Sequence, residues 1–198
     1  MLFDTFFDRI HTRWPVLDRS AYEILFEKQF TANSLTIVER SIFHLIYAIT
    51  ARFLSLTRKT CSVDSEVSSL QDHATILANK IQRHLTAATE PMDRILKEHS
   101  LASLQFLVLL GVHGQRSSYG AGAWSQIRYA TSVCIEMGLH RKRTKITSPA
   151  QARDVEIKRR VFWSCYCLDR ATSIVLGRTF AIADEDINVE VSKIIIVE

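Results

Sequence analysis

Glycine and proline are scarce in this chain of 198 residues, at six and three respectively. A many-stranded sheet needs turn residues at regular short intervals, so this scarcity argues for helices. Cysteine is confined to Cys61, Cys134, Cys165 and Cys167, whose spacing resembles no secreted disulfide framework; a reducing compartment is expected. Long apolar runs are missing too. The longest, Phe106 to Leu110, is far short of the roughly 20 residues that span a bilayer. Asp4 and Asp8 interrupt the N-terminal stretch where a secretory signal is unbroken, so no membrane partner is expected. The motifs of common chemistries are also absent: there is no H-E-x-x-H, G-x-S-x-G, G-x-G-x-x-G or Walker loop. No catalytic residue, metal ligand or cofactor is assigned, and no enzyme is expected.

What is present is helical periodicity. Leu2, Phe3, Phe6, Phe7 and Ile10 make a short amphipathic face that ends before Pro15. Ser20 with Glu23 fits a capping box and predicts a helix to about Phe30. Leu35, Val38, Ile42, Leu45, Ile49, Phe53 and Leu56 then form one stripe, and Val67, Leu70, Ala74, Leu77, Ile81, Leu85 and Ala88 a second. A short polar segment, Thr57 to Glu66, separates them and predicts an antiparallel pair. Ser100 is placed to cap a helix that is apolar on nearly every side, which predicts a central core position. Gly111, Gly114, Gly120 and Gly122 cluster next and predict a flexible connection. Trp124, Ile127, Thr131 and Cys134 restart the stripe, and Gly138 suits the left-handed residue after a helix. Ser148, Pro149 and Gln151 predict a strong helix start, with the helix running to Leu176 and Gly177 as its stop. The remainder, including the β-prone run Ile194 to Val197, reads as extended. The fold expected is one all-α domain of antiparallel packed helices with a short extended C-terminal segment.

The net charge of +4 is uneven, with eight Lys and Arg against Asp154 and Glu156 between Leu139 and Arg160. Two readings compete for this basic region. As a DNA-reading element, the helix around EIKRRVFWSCYCLDR would keep one face free for phosphates and base edges. At about 100° per residue, however, Ile157, Val161, Leu168 and Val175 share a face and leave little circumference for solvent. A buried helix with anchored charges is therefore expected, Trp163 packing with Arg159 or Arg170 and Asp169 accepting from another element. Cys165 and Cys167 point about 160° apart and cannot clasp one metal ion. The run Arg141, Lys142, Arg143 and Lys145 is a candidate nuclear-import signal, weighed against a solvated loop whose cations favour the preceding helix C-terminus.

These residues also carry a resemblance. GLHR at 138–141, EIKRRVFWSCYCLDR at 156–170, LGR at 176–178 and AIADEDINV at 181–189 resemble the middle homology region of fungal zinc-cluster transcription factors. FFDRIHTRWPVLDR near the N-terminus, LIYAI at 45–49 and QFLVLLG at 105–111 fit the same pattern. The signature positions are Gly138, Leu139, His140, Arg141, Arg159, Arg160, Phe162, Trp163, Asp169, Arg170, Gly177 and Arg178. The resemblance implies a nuclear, all-helical regulatory domain that restrains or tunes transcription and receives a protein partner, a second copy or a small-molecule effector. It implies no catalytic residue. The family's zinc ions belong to a six-cysteine DNA-binding module, so DNA contact is expected only through that missing module or a partner. Thr179 and Ser192 stand where the family commonly has proline, and the family's helices continue past Glu198. The 198 residues are thus expected to be a single domain, incomplete at its C-terminal end. The alternatives are a helical interaction module that inhibits a full-length factor by dimerising with it, and a small-molecule-binding helical scaffold.

Overall fold

The computed structural model describes residues 2–31, 35–61, 67–116, 122–142 and 148–192. Helix α1 (Leu2–Thr5) runs into a single wide turn at Phe6–Ile10. It is followed by α2 (Arg19–Thr31), α3 (Ile37–Cys61), α4 (Val67–Thr89), α5 (Met92–Lys97), α6 (Leu101–Gly114), α7 (Ala123–Glu136) and α8 (Pro149–Leu176). No strand occurs among the described residues, and the all-α expectation holds.

Helix α6 lies at the centre. Ser100 caps it by accepting a hydrogen bond from the Ser103 amide at 3.1 Å, and every residue from Ser103 to His113 is buried. Because its apolar residues surround the helix, it can pack on α3, α7 and α8 at once. Each large side chain so buried contributes about 1.5–3 kcal/mol. Helix α3 brings Val38, Ile42, Leu45 and Ile49 to this core, and α4 packs along α3 through Ile81 and Ala88. The expected polar connection at Thr57 is instead a continuation of α3 to Cys61. No glycine or proline stops the helix there, and the Thr57 hydroxyl bonds back to the Phe53 carbonyl at 3.1 Å. Residues 62–66 lie outside the described set.

Two glycines expected to loosen the chain tighten it. Gly111 and Gly114 belong to α6 and let α7 approach closely. A Cβ on Gly111 would sit 2.9 Å from Ile127 Cγ1, and one on Gly114 would sit 2.9 Å from the Ala123 Cβ. Residues 117–121, which include Gly120, lie outside the described set. Gly138, at φ +66°, ends α7 as expected; the Leu139 amide bonds back to the Cys134 carbonyl and Leu139 is buried.

The start of α2 differs from the capping-box expectation. Asp18 accepts from the Ser20 and Ala21 amides, while Glu23 pairs with the Arg19 side chain at 2.9 Å. Asp18 wins because Arg153 of α8 grips its other face through two nitrogens, each 2.6 Å from a carboxylate oxygen. Beneath this clasp the segment Trp14–Leu17 is buried, and Gln105 of α6 donates to the Val16 carbonyl at 2.7 Å.

Helix α8 starts with Ser148 accepting from the Gln151 amide and stops at Gly177, whose φ is +62°. Val161, Phe162, Cys165 and Leu168 are buried against the body. Val175 is not. It is 83% exposed, because after Ser173 no described element covers that face. The extended C-terminal segment follows as a strap over α8, with one short turn at Asp184–Asp186 and no sheet pairing among its described residues. Residues 193–198, including the run Ile194 to Val197, lie outside the described set.

Candidate functional site

Most of the signature residues lie along the seam between α8 and the strap, while Phe162 is buried in the core and Arg178 reaches Trp124 of α7. At its upper end the His140 carbonyl accepts from the Asn188 and Val189 amides, each at 3.1 Å. The Lys142 amide donates to Asn188 Oδ1 at 2.8 Å, and the Lys142 ammonium lies 2.6 Å from Glu190 Oε1. Arg159 reaches the other Glu190 oxygen at 3.0 Å, while Arg160 pairs with Glu156, one helical turn before it, at 3.4 Å. The Ser192 hydroxyl donates to that same Glu156 carboxylate at 2.6 Å.

Lower down, Asp169 is fully buried and accepts from the Ala181 amide at 2.9 Å and from Arg170 at 3.0 Å. The expectation that Asp169 serves another element therefore holds. Arg170 also donates to the Ile182 carbonyl and to Asp184, and its guanidinium lies over the rings of Tyr166 and Phe180 at 4.3 and 4.1 Å. The Arg170 guanidinium, then the Tyr166 hydroxyl, hold Asp184 below the usual carboxylate range. Burial, then the hydrogen bond to Asp184, pushes the Tyr166 phenol up.

Trp163 corrects its expected pairing. It is half-buried, meets Phe162 and Tyr166 edge-on, and donates its indole N–H to the Glu190 carbonyl at 2.9 Å. The arginines that share its stripe turn elsewhere: Arg159 to Glu190, and Arg170 to Asp169, Asp184 and the rings of Tyr166 and Phe180. Gly177 positions the turn into the strap. Arg178 stacks on Trp124 at 4.4 Å, and Arg128, 4.9 Å from the same ring, donates to the Thr179 carbonyl.

Cys165 is buried, as a thiol acting as a small apolar group is expected to be, but Cys167 is exposed and corrects that reading for the second thiol. Cys134 lies beside Cys165, and that contact, then burial, raises the Cys134 thiol well above its ordinary value. No cluster of three metal-ligating side chains occurs among the described residues, and no described helix is long and apolar enough to cross a membrane. Of the basic run, Arg141 and Lys142 are described, while Arg143 and Lys145 fall outside. Sequence reasoning missed Asp18, Asp184, Asn188 and Glu190. The acidic triplet Asp184–Asp186, following a basic helix, was the available signal for a strap held by charge.

Residues 3–195 match the family described as fungal specific transcription factor domain. The chain is 28% identical to the negative regulator of pleiotropic drug resistance STB5 of Candida glabrata, over 95% of this chain and 18% of that protein. It is 27% identical to protein STB5 of Saccharomyces cerevisiae, over 98% of this chain and 25% of that protein. A 24% identity links 66% of it to 16% of the thiamine repressible genes regulatory protein thi1 of Schizosaccharomyces pombe. The chain thus spans a quarter or less of the length of these relatives. No solved structure matches it. With an all-helical body and a family match across nearly its whole length, this chain belongs to the fungal specific transcription factor domain family.

Proposed function

We propose that this chain is the regulatory region of a zinc-cluster-type transcription factor, acting in the nucleus and reaching DNA through a separate zinc-bearing module. The observation that carries this reading is the family match over residues 3–195 to regulators several times longer than the chain. The seam supports it physically. Arg159, Arg160 and Arg170 are engaged by Glu156, Asp169, Asp184 and Glu190, so the basic helix anchors the strap instead of presenting a phosphate-binding face. Regulation then runs through contact with a protein partner, a second copy or an effector.

The test is a reporter driven by a fusion of a heterologous DNA-binding module, residues 1–198 and an activating segment. The Candida glabrata relative is a negative regulator by name, which sets the expected direction: inclusion of the domain lowers reporter output. A fusion carrying a strap-releasing Asp169→Leu substitution recovers it. Output indifferent to the domain would remove the regulatory reading. A fluorescent fusion checks location, with nuclear accumulation expected.

A further inference from the structure

Beside the C-terminal half of α8 the surface opens into a groove of about 390 Å³. Trp14 and Ala123 lie buried within it, and Val175 and Leu176, 83% and 45% exposed, stand at its mouth. Its charged residues are Arg13 and Arg116, and no Asp or Glu lines it. Arg13 lies 5.6 Å from the Trp14 ring and Arg116 lies 6.0 Å from the Phe53 ring. Arg153, Arg159 and Arg170 by contrast are each matched to a carboxylate. The groove thus joins an apolar patch of Trp14, Ala171, Val175 and Leu176 to the Gln115 and Thr172 side chains, which bond to each other at 3.0 Å, and to two cations whose charge no described carboxylate neutralises.

We propose that this groove docks an acidic amphipathic segment of a protein partner. Apolar side chains would seat against Trp14 and Val175, with Asp or Glu at neighbouring turns meeting Arg13 and Arg116. Nucleic acid has the charge but no aliphatic groups for Val175 and Leu176. A second copy docking symmetrically would set Arg13 and Arg116 against themselves. A small molecule filling the cavity would leave the outer side of Val175 in water. The biological sense of the surface rests on the regulatory reading, but its test needs no transcription.

The probe is a labelled synthetic peptide of Asp, Glu, Leu and Phe at helical spacing, titrated into the full chain by fluorescence anisotropy. Micromolar binding is expected, about tenfold weaker for Val175→Asp, which sets a carboxylate against the acidic peptide, and for Arg13→Glu, which reverses a matched charge. Both positions are exposed, so unchanged melting curves will show that the variants fold. A peptide with Lys in place of its acids should not bind. Failure of the wild-type chain to bind, or equal binding by both variants, overturns the proposal. A concentration-dependent dimer lost in Val175→Asp assigns the groove to a second copy, and full competition by hexanoate assigns it to a small carboxylate; either result also overturns it. A silent peptide together with a lowered reporter removes the groove and leaves the regulatory reading standing.

Discussion

Asp169 and Trp163 hold the strap by different means, and substitutions separate them. Asp169→Ala leaves the Ala181 amide without its acceptor and takes from Arg170 its buried counter-charge. Losing half of a buried pair should cost about 3 kcal/mol, whereas Asp169→Asn, which keeps an acceptor, should cost about 1. Equal midpoints for the two variants in denaturant titration would contradict the charge argument. Trp163→Phe removes one hydrogen bond, to the Glu190 carbonyl, and should cost about 1 kcal/mol. Trp163→Ala also gives up the edge-on contacts with Phe162 and Tyr166, and should cost about 3. Gly111→Ala sets a methyl group 2.9 Å from Ile127, on a branch of that side chain rather than its flexible end. The crowding should outweigh the roughly 1 kcal/mol gained in helix propensity, so the melting temperature falls.

Among the helices, histidine titration links packing to pH. Burial, opposed in part by the Leu17 carbonyl and aided by Arg160 and Arg19, lowers His11 to about 4; burial and Arg52 lower His113 to about 4. Between α3 and α4 the Nδ1 atoms of His44 and His84 lie 3.0 Å apart, so one must donate and the other stay unprotonated. Burial lowers both, and among the described residues the charges that face them are cationic: Arg40 toward His44, and His44 itself, then Arg83 and Lys80, toward His84. In each case the unfolded chain takes up a proton that the folded chain refuses. Stability is therefore full above the ordinary histidine value of 6.5 and declines as pH falls toward 4, by roughly 1.4 kcal/mol per pH unit for each strongly lowered group. Urea titrations across that window should show the decline, and His113→Gln should make it shallower while His11 keeps its share; a level wild-type profile would contradict the assignment. The helix ends themselves were legible in the sequence, because Ser100, Gly138, Ser148 and Gly177 act within a few residues of their own positions. Ser20 misled because a competing cap, Asp18, is held by a residue 135 positions away. Helical angle placed Val161 and Leu168 correctly but could not show that the neighbouring helices stop short of Val175.

At the scale of the whole molecule, three of the eight cations between Leu139 and Arg160, namely Lys142, Arg153 and Arg159, are held by carboxylates of the seam and the clasp. The 198 residues should therefore bind a randomised duplex pool only weakly and without sequence preference, with affinity falling steeply as salt rises. One enriched motif bound at nanomolar affinity would place a base-reading element in this chain after all. The candidate seam was half legible: its basic and aromatic residues stood out on α8, but their partners lie on a strap of no regular periodicity, where distance in sequence hides contact in space. The clasp between Asp18 and Arg153 has a further consequence, for the order of synthesis. Residue 18 leaves the ribosome long before residue 153, and at the rate of translation the interval is on the order of ten seconds. Trp14 to Leu17 also wait for Gln105 of α6. Throughout that interval the nascent N-terminal segment carries apolar side chains that no later helix has yet covered, so chaperone dependence in the cell should be set by translation speed through α6 and the first turn of α8.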